Sequence, residues 1–114
     1  MERRRLLRLD TNDFLQITPL SEVGKKIKGT AKNITYAGIC FCCEVEWRKG
    51  DVLFIEYFIK ENFESVKIKV LVVWSEFISQ DIGYFCGGEI IDIEEEKKEM
   101  FFNYYFKKIE EKKD

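Results

Sequence analysis

Hydrophobic and polar positions alternate along most of this chain, and a period of two predicts strands rather than helices. The clearest run spans residues 66–74, where Lys67 and Lys69 stand between apolar residues. A second run, residues 25–34, carries a lysine-rich face opposite Ile27, Gly29 and Ala31. Successive strand side chains point to opposite faces, so each run predicts a half-buried strand. Further strands are predicted at residues 13–20, 39–47, 52–59 and 83–93, with a bulge or a close backbone approach at Gly87-Gly88.

The pattern changes after residue 93. Residues 94–110 contain no glycine or proline, acids lead and lysines follow, an order that suits the dipole of a helix. Its aromatic face is predicted to pack on the sheet and comprises Phe102, Tyr105, Phe106 and Ile109, flanked by Phe101 and Tyr104. The additional aromatic residues indicate a second contact, with a homodimer partner or another domain.

Six short antiparallel strands followed by a helix predict a mainly β fold. The expected architecture is a six-stranded antiparallel β-barrel, closed or nearly closed, with a C-terminal α-helix. The length of 114 residues favours one domain, 1–114. Within it we expect a basic arm at 1–13, the barrel at 14–93 and the helix at 94–110. The start at Met1 leaves open both a standalone adaptor and a piece of a longer protein.

The arginines are concentrated at the beginning of the chain. Four of the five arginines lie in the first eight residues, while Arg48 is the only later one. Arginine forms bidentate hydrogen bonds to phosphate or to a guanine edge and stacks on aromatic planes, which lysine does poorly. The net charge is only −2. A basic arm on a nearly neutral body indicates a small anionic ligand rather than long duplex DNA.

Several classes of function are disfavoured by composition. The chain has no histidine, and its cysteines (Cys40, Cys42, Cys43 and Cys86) form no C-x-x-C pair, which argues against a zinc site. We expect reduced, buried cysteines that act as small apolar residues. No nucleophile–base pair is recognisable, so an enzyme is not expected. No signal peptide and no apolar run near the roughly 18 residues of a membrane span are present, so we expect a cytoplasmic protein without membrane insertion.

Two local motifs occur together in this sequence. The first is Arg4-x-x-x-Arg8 in the basic arm, and the second is Asn33-x-Thr35-x-x-Gly38, a turn between two predicted strands. With Gly50-Asp51 and a last strand that leads into a helix, they resemble the bacterial PilZ domain family over essentially the whole chain. The resemblance implies a barrel of the split-barrel type and binding of the second messenger cyclic di-GMP, with no other cofactor.

The resemblance also implies roles for the arginines. Arg4 and Arg8 would be the primary ligands of the two phosphodiesters and two guanines of cyclic di-GMP. Arg3 and Arg5 would assist through charge or stacking, and two intercalated ligand molecules would make use of them. The arm would become ordered around the nucleotide and signal to an unidentified protein partner in control of motility, pili or exopolysaccharide.

In the turn, Asn33 bonds its own backbone and presents an amide to guanine, and Thr35 offers a hydroxyl and an N–H. Gly38 allows positive φ and close approach of the ligand. Simple formation of the turn would explain the same three residues. The family has serine where this chain has Thr35, which keeps the hydroxyl but adds a methyl group.

Other hypotheses remain open at this point. A PilZ-fold interaction module that does not bind nucleotide is the main alternative, although such members typically lack the arginine pair. A single-stranded nucleic-acid binder is disfavoured by the negative net charge, so no DNA or RNA partner is expected. Trp47 and Trp74 are predicted to be core or barrel-edge residues rather than surfaces for base stacking.

Overall fold

The alternating runs form strands in the computed structural model, which describes residues 8–111. The elements are β1 (Leu9–Asp10), β2 (Phe14–Pro19), β3 (Ile27–Ile34), β4 (Gly38–Cys43), β5 (Val52–Ile59), β6 (Glu64–Ser79), β7 (Gly83–Ile93) and α1 (Lys98–Glu111). Single turns of 3₁₀-helix, Lys60–Asn62 and Glu95–Lys97, precede β6 and α1. The predicted bounds of two strands, 52–59 and 83–93, agree with β5 and β7.

Six of the strands close into a barrel. Going around it, β3 is followed by β2, β5, β6, β7 and β4, and β4 pairs again with β3. All the pairings are antiparallel. The mainly β fold with a six-stranded barrel and a C-terminal helix is therefore confirmed. The sequence did not predict β1, which lies inside the segment 1–13 expected to be an arm and pairs with the far end of β3.

The inward faces of the strands form one core. Burial follows the predicted alternation, and the fully enclosed side chains include Leu15, Ile17, Ile34, Phe41, Leu53, Ile55, Tyr57 and Val66. Complete burial of a large aliphatic side chain contributes roughly 1.5–3 kcal/mol relative to its exposure. The barrel interior is thus filled by side chains, and ligands have access only to its outer surface.

Strand β4 is shorter than predicted, because it ends at Cys43 rather than at residue 47. Beyond it the Cys43 thiol donates a hydrogen bond to the Val45 carbonyl at 3.4 Å, and the Trp47 Nε1–H donates to the Cys43 sulfur at 3.3 Å. The chain therefore turns away from the sheet and folds Trp47 back over the barrel end, where its exposed fraction is 8%.

Strand β6 and helix α1 also differ from their predicted bounds. Strand β6 continues to Ser79 because it forms a long hairpin with β7, in which Ser79 pairs with Gly83. The helix begins at Lys98 rather than at residue 94. Glu94 is still held by the sheet, since its N–H donates to the Lys67 carbonyl at 2.8 Å and its carboxylate accepts from the Lys67 N–H at 3.1 Å.

The buried face of α1 is rotated relative to the prediction. Phe101 and Tyr105, which are four residues apart, are buried, whereas Phe106 is 55% exposed. The Phe101 ring packs edge-on against Tyr57 of β5, with 5.4 Å between the ring centroids. Phe106 was wrongly placed in the buried stripe, since the helix docks through Tyr57.

All four cysteines are free thiols. Strand alternation sends Cys43 inward, where it is buried, while Cys40 and Cys42 are half-buried on the outer face. Cys86 is buried in β7. The predicted free thiols are thus confirmed for all four cysteines, whereas the predicted burial is confirmed for Cys43 and Cys86 and is wrong for Cys40 and Cys42, because β4 points these two away from the core.

Candidate functional site

Thr35 fixes the turn between β3 and β4. Its Oγ1 accepts hydrogen bonds from the N–H groups of Ala37, at 3.0 Å, and of Gly38, at 2.9 Å. The Thr35 N–H donates to the Gly38 carbonyl at 2.9 Å. A hydroxyl that accepts from the following N–H groups stabilises a tight turn. Thr35 therefore has a structural task, and its hydroxyl hydrogen is still available to an acceptor outside the turn.

Gly38 is required by space rather than by backbone conformation. A Cβ at this position would lie 3.1 Å from the Gly88 carbonyl oxygen of β7. The expected positive φ at Gly38 is wrong, because the described glycines with positive φ are Gly50 and Gly83. The absence of a side chain brings the turn close to β7 and leaves backbone exposed.

Gly87 forms a bare floor beneath Trp74. A Cβ built at Gly87 would overlap the Trp74 indole, so the ring lies directly against the backbone of β7. The register shifts between Val72 and Trp74, which face Gly88 and Gly87, and leaves Val73 as an extra residue. This is a β-bulge. The predicted bulge or close approach at Gly87-Gly88 is confirmed.

These features meet in one open groove on the outer face of the barrel, with a volume of about 460 Å³, which we name the Trp74 groove. It crosses four strands, because Asn33 of β3 pairs with Cys40 of β4, Cys40 with Gly87 of β7, and Gly87 with Trp74 of β6. Its lining also includes Arg8, Thr35, Gly38 and Glu89.

Arg8 reaches the groove from the position just before β1. Leu9 is almost fully buried, with 1% of its surface exposed, and pairs with Ile34 at the end of β3. Arg8 itself is exposed, and its Nε lies 3.9 Å from a carboxylate oxygen of Asp10. An exposed ion pair of this length contributes little. The guanidinium is therefore held at the edge of the groove and is free to engage an anion.

The Cys40 thiol stays protonated in this groove. Burial raises its pKa above the usual value, and the neighbouring Cys42 adds to the increase. The positive charges of Arg8 and Lys32 oppose the shift. Cys40 is thus a neutral wall of the site.

Comparisons with known proteins were made for the whole chain. No model of a known protein family matches it, and no curated protein does. The structure of the Bacillus subtilis inhibitor of motility MotI/DgrA matches 100% of this chain, with a TM-score of 0.81 and 17% identity. The PilZ domain of Escherichia coli YcgR, solved with c-di-GMP, matches 96% of it, with a TM-score of 0.70 and 11% identity. This chain has the PilZ fold.

A third structure supports the same fold. Apo MrkH of K. pneumonia matches 97% of this chain, with a TM-score of 0.74 and 13% identity. The PilZ-like chain spans 55% of the MotI/DgrA chain, 52% of the MrkH chain and 94% of the YcgR PilZ domain. Identities this low establish the fold alone, so the chemistry of the site depends on the residues of this chain.

The PilZ-like barrel brings together four of the residues predicted to bind ligand. Arg8, Asn33, Thr35 and Gly38 all line the Trp74 groove. The other three, Arg3, Arg4 and Arg5, lie outside the described residues 8–111. Within those residues the Asn33 side chain has no hydrogen bond, so its expected bond to its own backbone is wrong and its amide is available to a ligand.

Trp74 lines the groove but was not predicted as a site residue, since it was expected in the core or at the barrel edge. Alternation in residues 66–74 favoured the same face as Val70 and Val72, but the extra residue Val73 moves Trp74 to the outer face of the PilZ-like barrel. There it is 43% exposed. The available signal was Gly87-Gly88, because two adjacent glycines leave room for an indole on a neighbouring strand.

Asp13 connects the N-terminal segment to the barrel and to the helix. Its carboxylate accepts hydrogen bonds from the Tyr57 hydroxyl at 2.6 Å and from the Tyr104 hydroxyl of α1 at 2.5 Å. Burial, followed by Asp13, raises the pKa of both tyrosines well above the usual value, so both stay protonated as donors. Asp13 is the only buried charged residue in the described part of the chain.

Residues 8–111 contain neither a metal-binding cluster nor a helix that could span a membrane. No cluster of three or more histidine, cysteine, aspartate or glutamate side chains there is suited to hold a metal ion. No helix in the same part is both long and apolar enough to cross a membrane. The site is thus described by its arginine, amide, hydroxyl, aromatic ring and exposed backbone.

Proposed function

We propose that this chain is a receptor for cyclic di-GMP that closes its N-terminal arm (residues 1–13) around the nucleotide and signals to a protein partner. The observation that carries the proposal is that Arg8, Asn33, Thr35 and Gly38 line one groove. Asn33, Thr35 and Gly38 come from one turn, and the barrel brings this turn together with Arg8 and with the exposed Trp74 of β6. The family resemblance and the structural neighbour YcgR, which was solved with c-di-GMP, support the same ligand.

The chemistry of the groove matches the parts of cyclic di-GMP. Arg8 forms bidentate bonds to a phosphodiester or to the O6 and N7 atoms of guanine. Trp74 offers an aromatic plane, and stacking of a base on such a plane contributes roughly 1–3 kcal/mol. The glycines at 38, 87 and 88 let the ligand approach the backbone. Arg4, with Arg3 and Arg5 as auxiliary residues, completes the charge from the arm.

A route from the ligand to the helix passes through Asp13. The Asp13 carbonyl accepts from the Ala31 N–H at 2.8 Å, and its carboxylate accepts from Tyr104 of α1. Closure of the arm on the nucleotide pulls on this connection, and α1 then changes its position or its exposed surface. Phe106, which is 55% exposed on α1, is the aromatic group that a partner would contact.

Isothermal titration with cyclic di-GMP tests the proposal, with GTP and cyclic AMP as control ligands. We expect selective binding, with a stoichiometry that distinguishes one ligand from an intercalated pair. Arg8→Ala should weaken binding by about 1–3 kcal/mol. Arg48→Ala is the matched control, because Arg48 is exposed, does not line the Trp74 groove and should leave the affinity unchanged. Equal effects of the two substitutions would contradict the assignment of Arg8.

A PilZ-fold interaction module that does not bind nucleotide is the second candidate. The observation in its favour is that the Thr35 hydroxyl already accepts two hydrogen bonds inside the turn. A folded wild-type chain that binds none of the nucleotides would establish this alternative over the receptor. Thr35→Ser should bind cyclic di-GMP at least as well as the wild type if the receptor proposal holds.

A further inference from the structure

Glu89 is an unexpected residue in a groove proposed to bind an anion. Among the described residues that line the Trp74 groove, it is the only acidic one and Arg8 the only basic one. Glu89 is exposed, and within residues 8–111 its carboxylate has neither a hydrogen bond nor an ion pair. A negative charge repels the phosphodiesters of a cyclic dinucleotide. Glu89 therefore lowers the affinity unless its carboxylate also makes a favourable contact with another part of the ligand.

The position of Glu89 on β7 is fixed by its neighbours. It pairs with Gly38 of β4 on one side and with Leu71 of β6 on the other. Gly38 has no side chain, so the surface beside the carboxylate is open. Gly87, two residues earlier on the same outer face, supports the Trp74 indole. Two strand residues span roughly 6.6 Å, which is comparable to the width of a purine.

A carboxylate accepts hydrogen bonds and cannot donate them. Guanine presents two adjacent donors, N1–H and the N2 amino group, on its Watson–Crick edge, and these match the two oxygens of a carboxylate. Adenine presents the N6 amino group beside the lone pair of N1 on the same edge, and a carboxylate would face that lone pair. Arg8 complements this preference, since arginine reads the O6 and N7 acceptors of guanine.

We propose that Glu89 selects guanine by accepting hydrogen bonds from the N1–H and N2 amino groups of a base stacked on Trp74. Glu89 thereby discriminates cyclic di-GMP from cyclic di-AMP. This role rests on the proposed function, because it assumes that the groove holds a cyclic dinucleotide. It assigns the negative charge to base selection and leaves phosphate binding to the arginines.

The test is calorimetric titration of wild type, Glu89→Gln and Glu76→Gln with cyclic di-GMP, cyclic di-AMP and cyclic di-IMP, whose base lacks the N2 amino group. Glutamine keeps the shape of Glu89 but offers one acceptor and one donor, which fits the Watson–Crick edge of adenine. We expect Glu89→Gln to weaken the binding of cyclic di-GMP and to strengthen the binding of cyclic di-AMP. The ratio of the two affinities should fall by roughly 10-fold or more. The variant's preference for cyclic di-GMP over cyclic di-IMP should also shrink.

Glu76→Gln is the matched control, because Glu76 is an exposed acid on β6 that does not line the groove. It should leave the affinity ratios unchanged. If Glu89 only repels the ligand, removal of its charge would strengthen the binding of all three ligands by the same factor. That result would overturn this inference. A wild-type chain that binds no cyclic dinucleotide would overturn the proposed function itself, so the two failures are distinguishable.

Discussion

Two grooves of similar size lie on the outer surface of the barrel, and they differ in the residues that line them. The Trp74 groove has a volume of about 460 Å³. A second groove of about 410 Å³, which we name the Phe54 groove, crosses β2, β5 and β6 and is lined by Gln16, Phe54, Glu56, Lys67, Lys69 and Glu94 among others. Both grooves are formed by outward-facing side chains of adjacent paired strands. Their size and position therefore do not show which of them binds a ligand.

Three of the polar side chains that line the Phe54 groove already have partners. Glu56 accepts from the Ser65 hydroxyl at 2.7 Å, Glu94 accepts from the Lys67 N–H at 3.1 Å, and Lys69 lies 5.7 Å above the Phe54 ring. In the Trp74 groove the side chains of Asn33 and Glu89 have none within residues 8–111. Among the described residues, glycines line only the Trp74 groove of the two, so only there do polar side chains without partners lie beside exposed backbone.

The largest expected effect on ligand binding comes from adding a side chain at Gly87, beneath the Trp74 ring. Gly87→Ala introduces a Cβ that overlaps the Trp74 indole, so the ring must move outward into the groove, where it also blocks the ligand and costs more than its removal. We expect the affinity for cyclic di-GMP to fall by about 100-fold, which corresponds to about 2.7 kcal/mol. Gly24→Ala is the control, because nothing lies within 4 Å of a Cβ there. If titration gives Gly87→Ala the wild-type affinity, the Trp74 groove is not the binding site.

Asp13 lies in neither groove and should affect stability. Asp13→Ala leaves the buried Tyr57 hydroxyl without its acceptor and frees Tyr104, so we expect the free energy of unfolding to fall by about 3 kcal/mol in urea denaturation. Tyr104→Phe should cost less, about 1 kcal/mol. In the double variant the two losses should be less than additive, because both substitutions remove the same hydrogen bond. Strict additivity would show that Asp13 and Tyr104 do not interact.

Trp74→Ala should weaken the binding of cyclic di-GMP by about 1–2 kcal/mol, because the base loses its stacking on the indole. Fluorescence separates the two tryptophans, because Trp74 is 43% exposed and Trp47 is 8% exposed. The ligand should quench the emission of the wild type and leave that of Trp74→Ala, which comes from Trp47, nearly unchanged. Equal quenching in both proteins would place the ligand away from Trp74.

The smallest effect is expected in the Phe54 groove. Lys69→Ala removes a half-buried cation–π contact, which is worth about 0.5–1 kcal/mol of stability. The affinity for cyclic di-GMP should remain at the wild-type value in titration. A loss of affinity as large as that of Arg8→Ala would move the binding site to this groove.

The sequence predicted the fold well wherever a local pattern decides it. The apolar run at residues 52–59 predicted β5 with the observed bounds, because its inward side chains fill the barrel core. The turn predicted at residues 33–38 is present at 35–37, between β3 and β4, because the hydrogen bonds that define it are local. Alternation also placed Trp74 inward, and it failed because the bulge at Val73 depends on glycines in another strand.

Tertiary partners explain the other differences. Asp13 looked like an ordinary polar residue at the start of a strand, and its role depends on Tyr57 and Tyr104, which are 44 and 91 residues away in the chain. Phe106 had the same apolar character as Phe101, and only the position of Tyr57 selects between them. Such choices require the packed structure.

The two-residue strand β1 has a consequence for the edge of the sheet. Beyond the end of β2, the backbone of β3 is paired by residues 9–13, through Leu9 with Ile34, the Thr11 N–H with the Lys32 carbonyl, and the Ala31 N–H with the Asp13 carbonyl. A strand with unpaired N–H and C=O groups invites pairing with another molecule. Deletion of residues 1–13 would therefore remove the four N-terminal arginines and also leave backbone N–H and C=O groups of β3 unpaired. A chain shortened in this way should self-associate through β3.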